Sequence, residues 1–477
     1  MKKYYKIFAC SLAVMFASSC SDILDTEPRQ SISIDGALES PEVLRALLID
    51  SYDDFQGLGR YGSAWLVQPE IMADNFTRNI NRGTFGAQFN NTFGAHLSGS
   101  WGNYGTLLSL NVVIAGSDVL DDATIGEAYA LRALCYHNLM NNYAYNPTAL
   151  PADPDQNRGG VPLVTEAVLD IADVTFPARA PINDVYQFML DDIERAIPLL
   201  NNNGSRARFT RAAAQALGAR IALYAGNWTL AAQYAQDVID SGIADLSAPA
   251  DYASDWEEAV HPEAIWYLEY QTNENQGPNE SLQSIYISGP TALHPDYVGN
   301  GDFTPSAEII SLIQSNPNDV RNGILKPQSG TGRANPIGRI EMHKFQGNQG
   351  NPNIDNIPVF RLSEMYLILA EALLESNNPV GAQQALQTLK RRNYNDPALL
   401  VTNTGAALLE EILDERRLEL LGEGHRFFDL KRRGRAIDKT AADLTGELIP
   451  FNDPRILSPL PGGDLNLNPN LRNNFGY

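Results

Sequence analysis

Two stretches of this sequence, 216-ALGARIALYAGNWTLAAQYAQDVI-239 and 366-YLILAEALLESNNPVGAQQALQTL-389, look like copies of one unit. At an offset of 150 residues, Ala235 matches Ala385, and other apolar positions match at the same offset. On both sides of a short Gly/Asn or Asn-Asn-Pro turn, the apolar residues predict a helix. Pro379 suits the first position of the second helix. Each copy is therefore predicted to be two helices joined by a tight turn, and the alanines allow close packing.

A helical hairpin of this kind resembles the tetratricopeptide unit, whose apolar face is buried only by stacking on neighbouring units. Helical periodicity continues outside the copies, because apolar residues in 183–200 and 125–145 also recur three or four positions apart. We expect tetratricopeptide-like helices mainly over residues 100–242 and 361–435. Two clear copies among less regular helices predict a short superhelix.

The stretch from about 243 to 360 has a different composition. It is rich in Gly, Pro and Asn, with brief strand-like pieces such as 264–270 and 357–361. An irregular stretch of this length inside a compact protein is usually functional. The expected fold is therefore mainly α, a single domain over residues 36–477 with a loop-rich, ligand-facing insertion that contains few short strands.

The N-terminus predicts export. Lysines precede an apolar run, residues 7–17, that is too short to span a bilayer, and small residues lead to Cys20. This order resembles the signal and lipobox of bacterial lipoproteins, which implies a signal peptide over 1–19, acylation of Cys20 and a lipidated tether over 20–35. An ordinary signal peptide with a chance cysteine is the alternative. Only Cys135 then remains, so we expect no disulfide.

The charge excludes one class of partner. The chain has 35 Lys and Arg against 57 Asp and Glu, a net charge of −22. Such a chain repels nucleic acid, so no nucleic-acid partner is expected. The same charge favours a neutral ligand over a polyanion.

Motifs for catalysis or metal binding are weak. The glycine-rich 57-GLGRYG-62 follows a helix-like segment, so a loop is favoured over a dinucleotide site. The six histidines never lie at metal-ligand spacing. The alternate positions Asp153, Asp155 and Asn157 match the start of a calcium-binding loop. A polar turn is favoured there, and calcium binding is kept as the alternative. We expect no cofactor, no metal and no enzymatic activity, with a helical glycoside hydrolase as the weaker alternative.

Aromatic residues in polar surroundings indicate a sugar site. An aromatic ring can cover the C–H face of a sugar while nearby Asn, Asp and Arg bond its hydroxyls. For any single Trp the alternative is core packing. The aromatic candidates for ligand binding are Trp101, Tyr104, Trp256, Tyr286 and Tyr297.

Several further segments occur in a characteristic order. They are 20-CSDILD-25, 129-YALRALCYHNLMNNYAY-145, 159-GGVPLV-164, 186-YQFMLDDIERAIPLL-200, 211-RAAAQALGARIALYAGNW-228, 358-PVFRLSEMYLILAEALLE-375, 415-ERRLELLGEGHRFFDLKRRG-434 and 464-DLNLNPNLRNNFGY-477. Together they resemble the SusD/RagB family of nutrient-binding outer-membrane lipoproteins.

The resemblance implies a SusD-like α-helical body and a place on the cell surface. It also implies a ligand site near two neighbourhoods, 72-MADNFTRN-79 with 101-WGNYG-105 and the irregular 243–300 stretch, which adds Asp74, Asn75 and Arg78 to the candidate ligand-binding residues. It implies that the protein binds a glycan, or a peptide in the alternative, and passes it uncleaved to a TonB-dependent SusC-like transporter. A scaffold that binds only the transporter is a further alternative. In the family the charged 415–433 segment is a structural signature, and we interpret it as an ion-pair network with pairs Asp414/Arg417 and Asp429/Arg432 at helical spacing.

Overall fold

The computed structural model describes residues 38–79, 84–96, 98–328 and 339–477. The predicted signal peptide, tether and Cys20 lie outside the described residues. The α-helices of the described part are α1 Pro41–Gln56, α2 Ala64–Ile71, α3 Gly86–Phe89, α4 Asn103–Ala115, α5 Asp122–Tyr143, α6 Ile182–Leu199, α7 Arg211–Ala225, α8 Trp228–Ser241, α9 Gly277–Glu280, α10 Leu282–Tyr286, α11 Ala307–Gln314, α12 Leu362–Glu375, α13 Pro379–Asn393, α14 Gly405–Glu419, α15 Arg426–Arg432 and α16 Gly462–Leu467.

The strands are short and form two-stranded antiparallel sheets. They are β1 Phe76–Arg78, β2 Ala264–Leu268, β3 Phe303–Pro305, β4 Leu325–Pro327, β5 Ile340–Met342, β6 Ile357–Arg361, β7 Ile437–Lys439 and β8 Glu447–Ile449. The pairs are β1–β3, β2–β6, β4–β5 and β7–β8. The mainly helical fold with few short strands is therefore confirmed.

The helices pack in series. Each of α4 to α7 packs on the next helix, α8 packs on α12, and α12 packs on α13 and α14. The two sequence copies are the hairpins α7–α8 and α12–α13, which confirms the predicted helical hairpins. They are neighbours through α8 and α12. Ala231 and Ala235 of α8 and Ala382 of α13 are completely buried.

The turns of the two hairpins differ by one residue. Gly226 and Asn377 adopt left-handed conformations with φ of 75° and 59°. Asn227 then caps α8 and Asn378 caps α13, and each accepts a backbone N–H three residues on. The capping residues are 151 positions apart, so the 150-residue offset of the first helices does not continue through the turn.

The insertion is closed at its base by β2 and β6. β2 lies in the first part of the irregular stretch and β6 lies at its end. Trp266 of β2 is fully buried, with its ring centroid 4.6 Å from that of Phe209 and 5.7 Å from that of Phe360. A second link is β1, which pairs with β3 and so joins the insertion to the segment after α2. Within the described residues, no helix has the length and hydropathy needed to cross a membrane.

The charged 415–433 segment forms buried ion pairs. Arg416 lies 2.9 Å from Asp429, which also pairs with Arg432 at 2.8 Å. The structural interpretation and the Asp429/Arg432 pair are thereby confirmed. The predicted Asp414/Arg417 pair is wrong, because Arg417 turns inward and pairs instead with Asp74 and with Glu308.

Candidate functional site

A cleft with a volume of about 480 Å³ lies between the N-terminal helices and the insertion. Its walls come from the π-helical turn Leu58–Gly62, α2, α3, the segment before α4, and α9 of the insertion. The lining is a mixture of polar and apolar groups, contributed by Leu58, Gly59, Ser63, Ala64, Gln68, Thr84, Phe85, Gln88, His96, Gly99, Asn279 and Glu280.

The glycine-rich 57–62 segment forms one wall of this cleft. It is a tight turn, as its interpretation as a loop predicts. Gly62 is required there, because a Cβ would approach the Gln56 carbonyl oxygen to 2.6 Å. Arg60 anchors the turn to α4 by donating to the Gly102 carbonyl oxygen at 2.9 Å and to Thr106 Oγ1 at 3.0 Å.

Phe85 lines the cleft in a strained backbone conformation. Its φ of 46° and ψ of 24° are left-handed, which costs a residue with a Cβ about 1–2 kcal/mol. Bulky residues keep such conformations only where their surroundings impose them, and these positions cluster at binding sites. One such support is Arg78, whose guanidinium packs so closely on Gly86 that a Cβ there would lie 2.6 Å from Nη2. Arg78 therefore packs against the first residue of α3, next to Phe85.

Two of the residues that line the cleft carry buried hydrogen-bond acceptors. The Nε2 of His96 contacts the Arg455 carbonyl oxygen and must donate to it, so Nδ1 carries a lone pair. Burial lowers the pKa of His96, so its ring is neutral at neutral pH. His96 Nδ1 and Gln68 Oε1 have no hydrogen-bond partner among the described residues. Unsatisfied acceptors of this kind are costly, and a hydroxyl-rich ligand offers donors for them.

Asp74 and Asn75 lie in the core, beneath β1. The Asp74 carboxylate accepts from Nε and Nη2 of Arg426 at 2.7 Å each, and Asn75 Oδ1 accepts from Arg417 Nε at 2.8 Å. Burial alone would raise the pKa of Asp74, but Arg426 and Arg417 hold it below its ordinary value. These contacts join α2 and β1 to α14 and α15, so the side chains are engaged within the protein.

The structure corrects the expectation that the large aromatics of the insertion face a ligand. Trp256 is 2% exposed and Tyr286 is fully buried. The Trp256 ring lies 4.5 Å from the His261 ring, and the Tyr286 ring lies 5.1 Å from that of Phe76. These rings fill the space between the insertion and the helical body, so their faces are covered.

Tyr297 is also buried, with its hydroxyl donating to Asn353 Oδ1 at 2.8 Å. This bond holds two loops of the insertion together.

Trp101 and Tyr104 line a second recess, separate from the cleft. Their rings are half-buried with centroids 4.8 Å apart, and the Tyr104 hydroxyl donates to the Pro162 carbonyl oxygen at 2.8 Å. The recess has a volume of about 290 Å³ and is lined chiefly by apolar side chains, including Phe176 and Leu467. A surface this poor in polar groups suits an apolar ligand better than a sugar.

The possible calcium loop is a polar turn. The Asp153 carboxylate accepts from the Asp155 N–H at 3.0 Å, and Asn157 Oδ1 accepts from the Gly159 N–H at 3.0 Å. Across the described part of the chain, no cluster of three His, Cys, Asp or Glu residues suits a metal ion.

Sequence reasoning did not select the residues that line the cleft. Gln68, Phe85 and His96 lack any motif, and they meet only because α2 and α3 face α9 across the fold. One signal was available, since 57-GLGRYG-62 is a glycine-rich loop close to the 72–79 segment that was selected.

Comparisons with known proteins agree with this architecture. The description "SusD family" matches residues 342–477, and "Starch-binding associating with outer membrane" matches residues 107–223. SusD-like protein P38 of Formosa agariphila is 25% identical over the full length of both chains. The chain belongs to the SusD/RagB family.

Solved structures show the same fold. A putative sugar binding protein from Bacteroides vulgatus superposes with a TM-score of 0.77 at 25% identity, over 91% of this chain and 98% of the other. Surface glycan-binding protein A from Bacteroides uniformis superposes with a TM-score of 0.70 at 22% identity, over 91% of this chain and 99% of the other.

Proposed function

We propose that this protein is a surface-exposed outer-membrane lipoprotein that captures oligosaccharides and passes them uncleaved to a SusC-like TonB-dependent transporter. Membership of the SusD/RagB family supports this, as do the names of its sugar- and glycan-binding structural relatives. The lipid anchor is proposed at Cys20.

The observation that carries the proposal is the mixed lining of the cleft. A sugar has apolar C–H faces and a rim of hydroxyls, so its site needs an apolar surface beside amide, hydroxyl or carboxylate groups. Phe85 supplies a ring, and Gln68, Gln88, Thr84 and Glu280 supply polar groups.

The lining also favours binding over cleavage. Glycoside hydrolysis uses a pair of carboxylic residues on either side of the scissile bond. Among the cleft-lining residues that the structure describes, Glu280 is the single carboxylate. We therefore expect no release of reducing sugar.

Substituting Phe85 with glycine tests the assignment. Phe85→Gly removes the ring and also relieves the left-handed strain, since glycine adopts positive φ freely. We expect the affinity for a glycan to fall at least about tenfold, while the melting temperature changes by only a few degrees. Asn395→Gly is the matched control, because Asn395 also has a positive φ, 47°, but lies between α13 and α14.

The measurement is affinity electrophoresis of residues 21–477 in gels that contain neutral or acidic polysaccharides, followed by calorimetry with the glycan that retards the protein. Unchanged retardation of Phe85→Gly would move the site away from the cleft. If no polysaccharide retards the wild type and oligopeptides bind instead, the peptide-binding alternative replaces the glycan.

A further inference from the structure

Helix α5 carries polar side chains into the core of the protein. His137, Asn138 and Asn141 are only 1%, 3% and 4% exposed. Residues three and four positions apart share one face of a helix, so His137 and Asn138 both stand beside Asn141. Burying imidazole and amide groups costs free energy unless their polar atoms find hydrogen-bond partners. This face of α5 therefore needs partners inside the fold.

Some of these polar atoms are paired within the protein. Asn141 Nδ2 donates to His137 Nε2 at 3.1 Å. Burial lowers the pKa of His137 to about 3, so its ring is neutral at neutral pH. Because Nε2 is the acceptor, the ring proton lies on Nδ1. Burial raises the pKa of Tyr61 to about 12, and a hydrogen bond from the Asn138 side chain opposes that rise.

Among the described residues, three atoms of this face have no hydrogen-bond partner. They are His137 Nδ1, Asn138 Oδ1 and Asn141 Oδ1, and each is buried. The set consists of one N–H donor and two carbonyl acceptors. Leaving such groups unpaired in the core is costly, and native proteins pair nearly all of them with protein or with ordered water.

His137, Asn138 and Asn141 line one small cavity in the core. Its other walls include Tyr61, Trp65 of α2, residues of β6 and the segment 423–425. The cavity leaves about 20 Å³ for the centre of a water molecule, and a single water needs at least about 10–15 Å³ measured in this way. The size therefore suits one water molecule.

The charged side chains in the cavity wall are already paired. Arg220 donates to both carboxylate oxygens of Glu364, at 2.8 and 2.6 Å. Glu423 accepts from Arg361 at 2.7 Å and from Lys344 at 2.6 Å. The unmet hydrogen-bonding capacity that faces the cavity therefore comes from neutral groups of α5, which do not call for a charged ligand.

We propose that this cavity binds one ordered water molecule, which joins the three unpaired atoms of α5. The water oxygen accepts from His137 Nδ1–H, and the two water protons go to Asn138 Oδ1 and Asn141 Oδ1. A metal cation or an ammonium ion cannot accept from an N–H group, and a halide cannot donate to amide oxygens. Three hydrogen bonds are typical of a buried water.

The water site lies behind one wall of the cleft. Tyr61 and Trp65 line the cavity, whereas Gly59, Ser63 and Gln68, from the same turn and the same helix, line the cleft. The water therefore fills the space between this wall and α5. The inference does not rest on the proposed glycan-binding function.

A crystal structure of residues 21–477 that resolves ordered water tests the assignment. We expect a single electron-density peak in the cavity, within about 3.2 Å of His137 Nδ1, Asn138 Oδ1 and Asn141 Oδ1. A cavity without a peak would overturn the proposal. A peak whose anomalous scattering identifies an ion would overturn it as well.

Magnetic relaxation dispersion of the water nuclei counts long-lived internal waters in solution. Asn141→Leu removes one acceptor but keeps a side chain of comparable length, so this variant should hold one such water fewer than the wild type. Asn142→Leu is the matched control, because Asn142 lies on the same helix, is 3% exposed and donates directly to Ser100 Oγ and to the Asn138 carbonyl oxygen. It should keep the wild-type count.

Equal counts in the wild type and Asn141→Leu would contradict the assignment. If Asn141→Leu does not fold, the crystal structure of the wild type decides, because a peak in the cavity supports the water site and its absence refutes it.

Discussion

At the scale of single residues, acidic side chains near the cleft hold the fold together. Glu70 accepts from the N–H groups of Gly424 and His425 at 3.0 and 2.9 Å and from Asn75 Nδ2 at 2.7 Å. Burial raises the pKa of Glu70. Gly424 is needed beside it, because a Cβ there would lie 2.5 Å from the Trp65 carbonyl oxygen. Asp74 adds its ion pair with Arg426 to these contacts between the end of α2 and the segment 424–426.

Asp74→Ala should therefore lower stability. The substitution leaves Arg426 and Arg417 without their buried carboxylate partner, and losing one member of a buried pair costs about 3–5 kcal/mol. Urea unfolding should show this decrease in the free energy of unfolding, with glycan affinity per folded molecule unchanged. Asp251→Ala, at an exposed position, is the control. A loss of affinity at unchanged stability would return Asp74 to the ligand site.

At the scale of elements, buried lysines complete the C-terminal ends of helices. Lys431 Nζ donates to the carbonyl oxygens of Asn141 and Ala144, at the end of α5. Lys439 Nζ donates to the carbonyl oxygens of Ile71 and Phe89, the last residues of α2 and α3. The final carbonyls of a helix lack intrahelical partners and carry partial negative charge, so the N–H groups of a lysine side chain suit them.

The stability conferred by Lys431 should depend on pH. Burial lowers the pKa of Lys431 to about 7, whereas the pKa of a lysine in the unfolded chain is about 10.4. Between these values the unfolded chain binds more protons, so stability rises with pH. The unfolding free energy of the wild type minus that of Lys431→Met should increase by up to about 1.4 kcal/mol per pH unit.

Urea unfolding at pH 7, 8 and 9 measures this difference. Lys326→Met serves as the control, because Lys326 is exposed and its removal should give no such pH dependence. Parallel curves for the wild type and Lys431→Met would show that Lys431 stays charged across this range.

At the scale of the whole molecule, a short stack of helices supports two recesses on neighbouring surfaces. The cleft combines α2, α3 and α9, and the recess at Trp101 and Tyr104 combines α4, α16 and the loop of Phe176. Both recesses therefore depend on segments distant in the chain, and both are placed by the packing of the helical body.

Attachment of this body to the membrane is predicted to depend on Cys20. Cys20→Ala should move the chain from the membrane fraction to the soluble fraction and abolish labelling with palmitate. Cys135→Ala is the control, because the Cys135 thiol is fully buried and burial raises its pKa to about 12. Persistent labelling of Cys20→Ala would refute the lipid assignment.

Local patterns in the sequence determined the helical body. The periodicity of 216–239 and 366–389 predicted two hairpins, and both are present, because amphipathic helices and their Asn caps are encoded by neighbouring residues. The charged 415–433 segment was also correctly interpreted as structural. Sequence alone did not predict the extra residue in the second turn, because a turn can lengthen without changing the periodicity of its helices.

Only the tertiary structure decided which polar and aromatic side chains are available. Asp74 meets Arg426 across 352 residues of chain, and Trp256 and Tyr286 are covered by segments far away in sequence. The cleft at Phe85 likewise needs α9 as its opposite wall. The physical reason is that helix formation depends on residues a few positions apart, whereas burial and ion pairing depend on which distant segments pack together.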